Sequence, residues 1–214
     1  MAGTANSAVD RLIMEFDRGL RTLFGRPLGT QRPHPANGVT QPALGDADVR
    51  ESMRLMRVNH CGEVCAQALY QGQALTARDP VVREAMREAA DEENDHLIWC
   101  RDRIEELHGH TSYLDPLFYL GSLTIGALAG ASGDRWSLGF LAATEHQVEA
   151  HLKDHLERLP AEDTVSRAIV DQMRVDELRH AETAEKAGAS ELPAPVRGLM
   201  GLTSKLMTGT TYWI

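Results

Sequence analysis

Two stretches of this 214-residue chain carry the same pair of metal-capable side chains three positions apart, Glu93 with His96 and Glu177 with His180. Positions i and i+3 share one face of a helix, so each Glu-x-x-His pair can address a single ion. A lone glutamate precedes each pair at nearly constant distance. Glu63 stands 30 residues before Glu93, and Glu145 stands 32 residues before Glu177. The chain therefore repeats a helix hairpin of the form Glu, turn, Glu-x-x-His. Two such hairpins packed together place four carboxylates and two imidazoles around one cavity.

Charge accounting says what that cavity holds. Four ionised carboxylates cannot crowd into a low-dielectric interior without cations. Two divalent irons bring +4 against the −4 of Glu63, Glu93, Glu145 and Glu177, and neutral His96 and His180 complete the donor set. Oxygen and nitrogen donors without thiolate suit iron or manganese better than a closed zinc site. Open coordination positions then admit dioxygen as a co-substrate.

A third Glu-x-x-His, Glu105 with His108, is rejected. Glu105 is rotated by about 120° from Glu93 around the helix axis, and no glutamate lies 30 residues before it. Glu149, one turn after Glu145, competes with it for the ligand role. His60 and His151 are open between supporting a ligand, touching a substrate and filling a core or surface position. Asp176 and Glu92, which directly precede the motif glutamates, are read as bundle-surface residues.

These side chains need long helices. Val9, Leu12, Ile13, Phe16, Leu20 and Phe24 recur at helical spacing and predict a first helix over 9–24, followed by a Pro- and Gly-rich connector to residue 45. Helices are expected from Asp46 to Arg78, from Pro80 to about His108, from Gly133-Asp134 to about Leu159 and from Glu162 to Lys186, with a weakly polar element over 114–131. Asp79-Pro80 supplies an N-cap and an N1 proline. The expected organisation is an N-terminal helix and connector (1–45), a bundle (46–191) and an apolar C-terminal segment (192–214). The fold class is all-α, a ferritin-like four-helix bundle with additional apolar helices.

Composition agrees. Ala, Leu, Glu, Arg and Met dominate, while aromatics make up only 5%. The net charge of −9 argues against nucleic acid as a partner. Cys61, Cys65 and Cys100 are an odd set without a CxxC pair, which points to reduced thiols and not to a disulfide framework or a structural zinc site. No basic stretch followed by an apolar run marks the N-terminus, so no secretory signal is expected. The longest uncharged run, Pro116 to Gly133, is interrupted by glycines. It is expected to be buried or interfacial and not to span a membrane.

The run Leu55-Met-Arg-Val-Asn-His-Cys-Gly-Glu63-Val-Cys-Ala-Gln-Ala-Leu-Tyr-Gln-Gly-Gln73 resembles the first ligand helix of the bacterial demethoxyubiquinone hydroxylases. Glu92-Glu-Asn-Asp-His96, Thr144-Glu-His-Gln-Val-Glu-Ala-His151 and Asp176-Glu-Leu-Arg-His-Ala181 resemble the other three ligand segments. The likeness extends from Asp17-Arg-Gly-Leu-Arg to Leu202-Thr-Ser-Lys-Leu-Met. It implies a di-iron monooxygenase that hydroxylates the demethoxyubiquinol ring in ubiquinone biosynthesis. It carries the ligand role onto Glu63, Glu93, His96, Glu145, Glu177 and His180, and it places His151 near the substrate. Leu152 follows His151 where some relatives have an aromatic, which removes the basis for a tyrosine relay here.

A polyprenyl quinol must be collected from a bilayer. The 114–131 segment and the tail ending Tyr212-Trp213 are the available apolar surfaces, and aromatic termini favour the interface. Peripheral attachment to the cytoplasmic face of the cell membrane is expected, with other ubiquinone-biosynthesis proteins as partners. Two other readings use the same ligands: a ferritin-like ferroxidase without quinone hydroxylation, and a non-catalytic scaffold. The hydrophobic tail and the Gly-rich third segment disfavour the ferroxidase.

Overall fold

The computed structural model describes residues 8–214. The first seven residues of the expected N-terminal unit, and the side chains of Ala8, Arg11 and Leu12, lie outside the described residues. Among those described, all regular structure is helical: α1 Ala8–Phe24, α2 Asp46–Thr76, α3 Pro80–Glu106, α4 Asp115–Ala131, α5 Asp134–Arg158, α6 Thr164–Lys186 and α7 Ala194–Thr211.

The helix ends have local causes. Asp79 caps α3, its carboxylate accepting the Val81 N–H at 2.8 Å, with Pro80 in the first turn. Asp163, one residue past the predicted start at Glu162, caps α6 by accepting the Ser166 N–H at 3.0 Å. Gly188 ends α6 at φ +96°, with the Gly188 and Ala189 N–H groups returning to Glu185 and Ala184. The α3 terminus uses the same double hydrogen bond, from His108 to Glu105 and from Gly109 to Ile104, but His108 itself takes the left-handed conformation at φ +57°. That closes α3 two residues before the predicted end, because the reversal falls on His108 and not on Gly109.

α2 packs along α3, and α5 packs along α6, giving two hairpins that face each other. One apolar cluster includes Tyr70, Met86, Leu138, Phe140 and Leu141; another includes Leu55, Met56, Trp99, Ile104, Ile169 and Met173. Along each of the four helices the charged motif falls in sequence between its contributions to these two clusters.

α4 joins the hairpins and lies against α2 more extensively than against any other helix. The approach is backbone to backbone: a Cβ at Gly126 would collide with the Leu69 carbonyl, and one at Gly72 with the Leu123 carbonyl. Only glycine permits this distance. The opposite face of α4 exposes Leu117, Leu120 and Leu128. α1 exposes Val9, Ile13, Phe16, Leu20 and Phe24, and α7 exposes Leu199, Leu202 and Leu206. No described helix is long and apolar enough to cross a membrane.

The connector is pinned along the bundle. Arg26 pairs with Asp102 at 2.6 Å, the Thr30 N–H donates to Asp95 Oδ1 at 2.8 Å, and Thr164 Oγ1 donates to the Thr40 carbonyl at 2.8 Å.

Candidate metal centre

All six ligand candidates meet between the hairpins. Donor atoms of Glu63, Glu93, His96 and Glu177 lie within 4.8 Å of one another, and those of Glu93, Glu145, Glu177 and His180 form a second such group. α2 supplies Glu63, α3 supplies Glu93 and His96, α5 supplies Glu145, and α6 supplies Glu177 and His180. Glu93 and Glu177 belong to both groups, so the layout is that of two adjoining ion positions with shared carboxylates. All six are buried, His180 the least, at 9% exposure.

The contacts inside the cluster are close and unsatisfied. His96 Nδ1 stands 2.7 Å from Glu93 Oε2, 3.3 Å from Glu177 Oε1 and 3.7 Å from Glu63 Oε2. His180 Nδ1 stands 3.2 Å from Glu93 Oε1 and 3.7 Å from Glu177 Oε2. These approaches lack hydrogen-bond geometry: both Glu93 oxygens, His96 Nδ1, Glu145 Oε1, Glu177 Oε2 and His180 Nδ1 have no hydrogen-bond partner. A buried polar atom left unpaired costs about 1–3 kcal/mol, and more when charged. Six orphaned donor atoms aimed into one space are what a pair of cations would satisfy, so the residues fit the metal their spacing implies.

The outer nitrogens are held. His96 Nε2 meets Asp176 Oδ2 at 3.1 Å, and His180 Nε2 meets Glu92 Oε2 at 2.7 Å. Each carboxylate comes from the opposite hairpin. Holding Nε2–H fixes the tautomer that leaves the Nδ1 lone pair inward, a common arrangement around metal-bound histidine. Asp176 is therefore buried and not the bundle-surface residue its sequence position suggested, while Glu92, still partly exposed, also supports a histidine. The signal was present as an acid one residue before each Glu-x-x-His in both halves.

Electrostatics reflect the crowding. Burial drives Glu63 and Glu145 well above the ordinary carboxylate range, and the charge of Glu177 adds to it in both. For Glu93 burial acts in the same direction, but His96 and His180 outweigh it and hold the carboxyl low. Burial would lower both histidines, yet the surrounding carboxylates raise them. Protons and cations thus compete for the same atoms.

The remaining candidates sort cleanly. Glu149 points away and meets Arg174 at 3.5 Å, leaving Glu145 in the cluster. Glu105 pairs with Arg26 across the surface. His60 is buried with Nδ1 3.3 Å from Asp115 Oδ2 and joins neither donor group. His151 packs against His155 with ring centres 3.9 Å apart and planes tilted by 58°, and His155 Nδ1 meets Asn59 Oδ1 at 2.7 Å. His151 Nε2 is shielded from solvent without a partner, and burial lowers the pKa of the ring. The three cysteines are free thiols, and none joins a metal-capable group among the described residues. A cavity of about 150 Å³ opens beside His180 and Glu92, walled by Met86, Ala89, Leu138 and Leu141.

An all-helical bundle with this cluster at its centre is a ferritin-like carboxylate–histidine protein. Residues 50–211 match the model of the family described as Ubiquinone biosynthesis protein COQ7, and the chain belongs to that family. It is 62% identical over 206 residues to a 3-demethoxyubiquinol 3-hydroxylase of Laribacter hongkongensis, covering 96% of this chain and all of the relative. Proteins of the same name from Nitrosococcus oceani (57% over 214 residues, all of both chains) and Dechloromonas aromatica (58% over 203 residues, 95% of this chain and 98% of the relative) are similar to it.

Proposed function

We propose that this chain hydroxylates the ring of demethoxyubiquinol using dioxygen and two iron ions. The observation that carries the reading is the convergence of six buried side chains from four helices, with six unpartnered donor atoms on Glu93, His96, Glu145, Glu177 and His180. The name shared by its relatives supplies the substrate and the reaction. Bound iron would supply the redox chemistry that activates dioxygen and places one oxygen atom on the ring.

The protein's own side chains do the rest. Glu63 and His96 would hold one ion and Glu145 and His180 the other, with Glu93 and Glu177 common to both donor groups. Asp176 and Glu92 keep each imidazole aimed inward. The apolar clusters at either end limit water, which strengthens every charge interaction between them. His151, neutral and with Nε2 free, serves as the hydrogen-bonding contact for a quinol oxygen.

The substrate's polyprenyl tail requires a bilayer. The outward leucines of α4 and α7 and the apolar stripe of α1 form the docking surface, which attaches the protein peripherally to the cytoplasmic face of the cell membrane. α1 was not among the surfaces anticipated from sequence, but it touches α4 and exposes apolar side chains of its own.

The test is anaerobic reconstitution with ferrous iron, addition of demethoxyubiquinol, then admission of labelled dioxygen. Hydroxylated quinol carrying one labelled oxygen is expected. Oxidation of iron without ring hydroxylation would replace this reading with the ferroxidase, and bound iron with neither activity would leave a scaffold.

A further inference from the structure

We propose that the two ion positions bind metal unequally, the Glu63–His96 position tightly and the Glu145–His180 position weakly, and that Arg32 is the positioning residue that sets the difference. The inference rests on the reading that the six side chains hold two ions.

The two histidines are supported by different kinds of network. Asp176 Oδ2 accepts from His96 Nε2 and also forms an ion pair with Arg32 Nη2 at 2.9 Å. Asp176 Oδ1 accepts from Gln172 at 3.2 Å and from Arg179 at 3.4 Å. Arg32 Nε donates to Asp95 Oδ2 at 3.0 Å, and the guanidinium lies over the Trp99 ring at 4.9 Å. The Trp99 ring in turn lies 5.4 Å from that of His96. His96, Asp176, Arg32 and Trp99 thus form a closed circuit, and only the arginine is not buried. A guanidinium presents several donors in a fixed plane, so it can hold two carboxylates and a ring face at once. Turning His96 means breaking the whole circuit.

His180 has no such circuit. Its Nε2 partner Glu92 is 35% exposed at the side chain, and the cation on Glu92, Arg179, is 54% exposed. Exposed ion pairs of this kind hold geometry weakly. Glu92 and His180 also line the cavity of about 150 Å³, which gives water and metal ions a route to this position. The Glu145–His180 position is therefore where metal enters and leaves.

The feature that separates the two positions comes from outside the bundle. Arg32 belongs to the connector between α1 and α2 and precedes the residues matched by the family model. Its placement is built in: the Thr30 N–H anchors the strand of chain to Asp95 Oδ1, and a Cβ at Gly29 would collide with that carboxylate.

The test is anaerobic titration of the metal-depleted full chain with cobalt(II), followed by visible absorption and by the rate of release to a chelator. The wild type should take up two equivalents in steps at least about tenfold apart, and Glu145→Gln should remove the weaker step. Arg32→Gln should weaken the tighter step about tenfold or more, within the range for losing outer support of a metal ligand, and speed release of that ion. Arg32→Lys, which can reach Asp176 or Asp95 but not stack and fork together, should fall between. Helical circular dichroism of the metal-depleted variants reports folding separately. If Arg32→Gln does not fold, the wild-type, Glu145→Gln and Arg32→Lys titrations still decide. Two equivalents binding in a single step, an Arg32 variant that overlays the wild type, or loss of the tighter step in Glu145→Gln would each overturn the proposal. Fewer than two equivalents in the wild type would instead overturn the two-ion reading beneath it.

Discussion

His96 and His180 present the same ring nitrogen, Nδ1, to the shared glutamates and turn Nε2 outward to a carboxylate of the opposite hairpin. The pseudo-symmetry of the sequence repeat thus extends to the carboxylate on each outer nitrogen, and stops there. Asp176→Ala and Glu92→Ala should each reduce metal affinity by about 10–100-fold while leaving all six donors in place. Competition titration against a coloured chelator measures this. Unchanged affinity in both variants would make the Nε2 contacts incidental.

Glu93→Ala and Glu177→Ala should lower iron content below two per chain and abolish quinol hydroxylation. Glu177→Ala need not lower the melting temperature of the metal-depleted protein, because it removes a buried carboxylate that repels Glu63 and Glu145, whereas Glu93→Ala should lower it by stripping the counter-charge from His96 and His180. Metal analysis beside thermal unfolding separates the two effects, and near-normal iron in both variants would defeat the assignment.

Metal affinity should fall as pH falls. Burial raises Glu63 and Glu145, while Glu93, Asp176 and Glu177 raise His96, and Glu177, Glu92 and Glu93 raise His180, so a proton competes with a cation at each of these groups. Binding then releases protons, and lowering the pH favours the proton. Calorimetry of manganese(II) binding in buffers of different ionisation enthalpy reads the number released. Zero net release at pH 7 would contradict the electrostatic picture.

The contact between α2 and α4 predicts opposite outcomes for two glycines on one helix. Gly126→Ala should destabilise the protein by about 1–3 kcal/mol, because its new methyl group meets the Leu69 backbone and not a movable side chain. Gly121→Ala, with nothing near its added Cβ, should be neutral or stabilising by about 0.5–1 kcal/mol through helix propensity. Urea unfolding of the pair distinguishes them.

Membrane docking is tested on α7. Leu202→Glu combined with Leu206→Glu, both outward-facing, should reduce flotation with liposomes about tenfold or more without changing the melting temperature. A wild-type protein that never floats would remove the docking surface from the account.

The convergence of the six candidate residues was legible because its spacing is local: i and i+3 on a helix, and a hairpin's length between paired glutamates. Helix ends followed from Asp79, Pro80 and Gly188 to within a residue or two, while His108 escaped because a histidine performed a turn usually given to glycine. Asp176 and Glu92 were misread because each supports a histidine on the other hairpin, an interhelical fact that the periodicity of one helix cannot express. Arg32 left no pattern, since it stands in a Pro-rich stretch and its partners Asp95 and Asp176 lie far along the chain. For α1 the spacing showed an apolar stripe, but a stripe does not say whether the bundle or something outside it is the cover.

Neither half of this chain owns all the members of either donor group. The Glu63–His96 group borrows Glu177 from the second hairpin, and the Glu145–His180 group borrows Glu93 from the first. A hairpin produced alone would meet metal with only part of its donors, whereas two separately made halves could be drawn together by the ion itself. Loading therefore doubles as a reporter of assembly, and a chain severed between α3 and α4 would regain metal only upon reuniting.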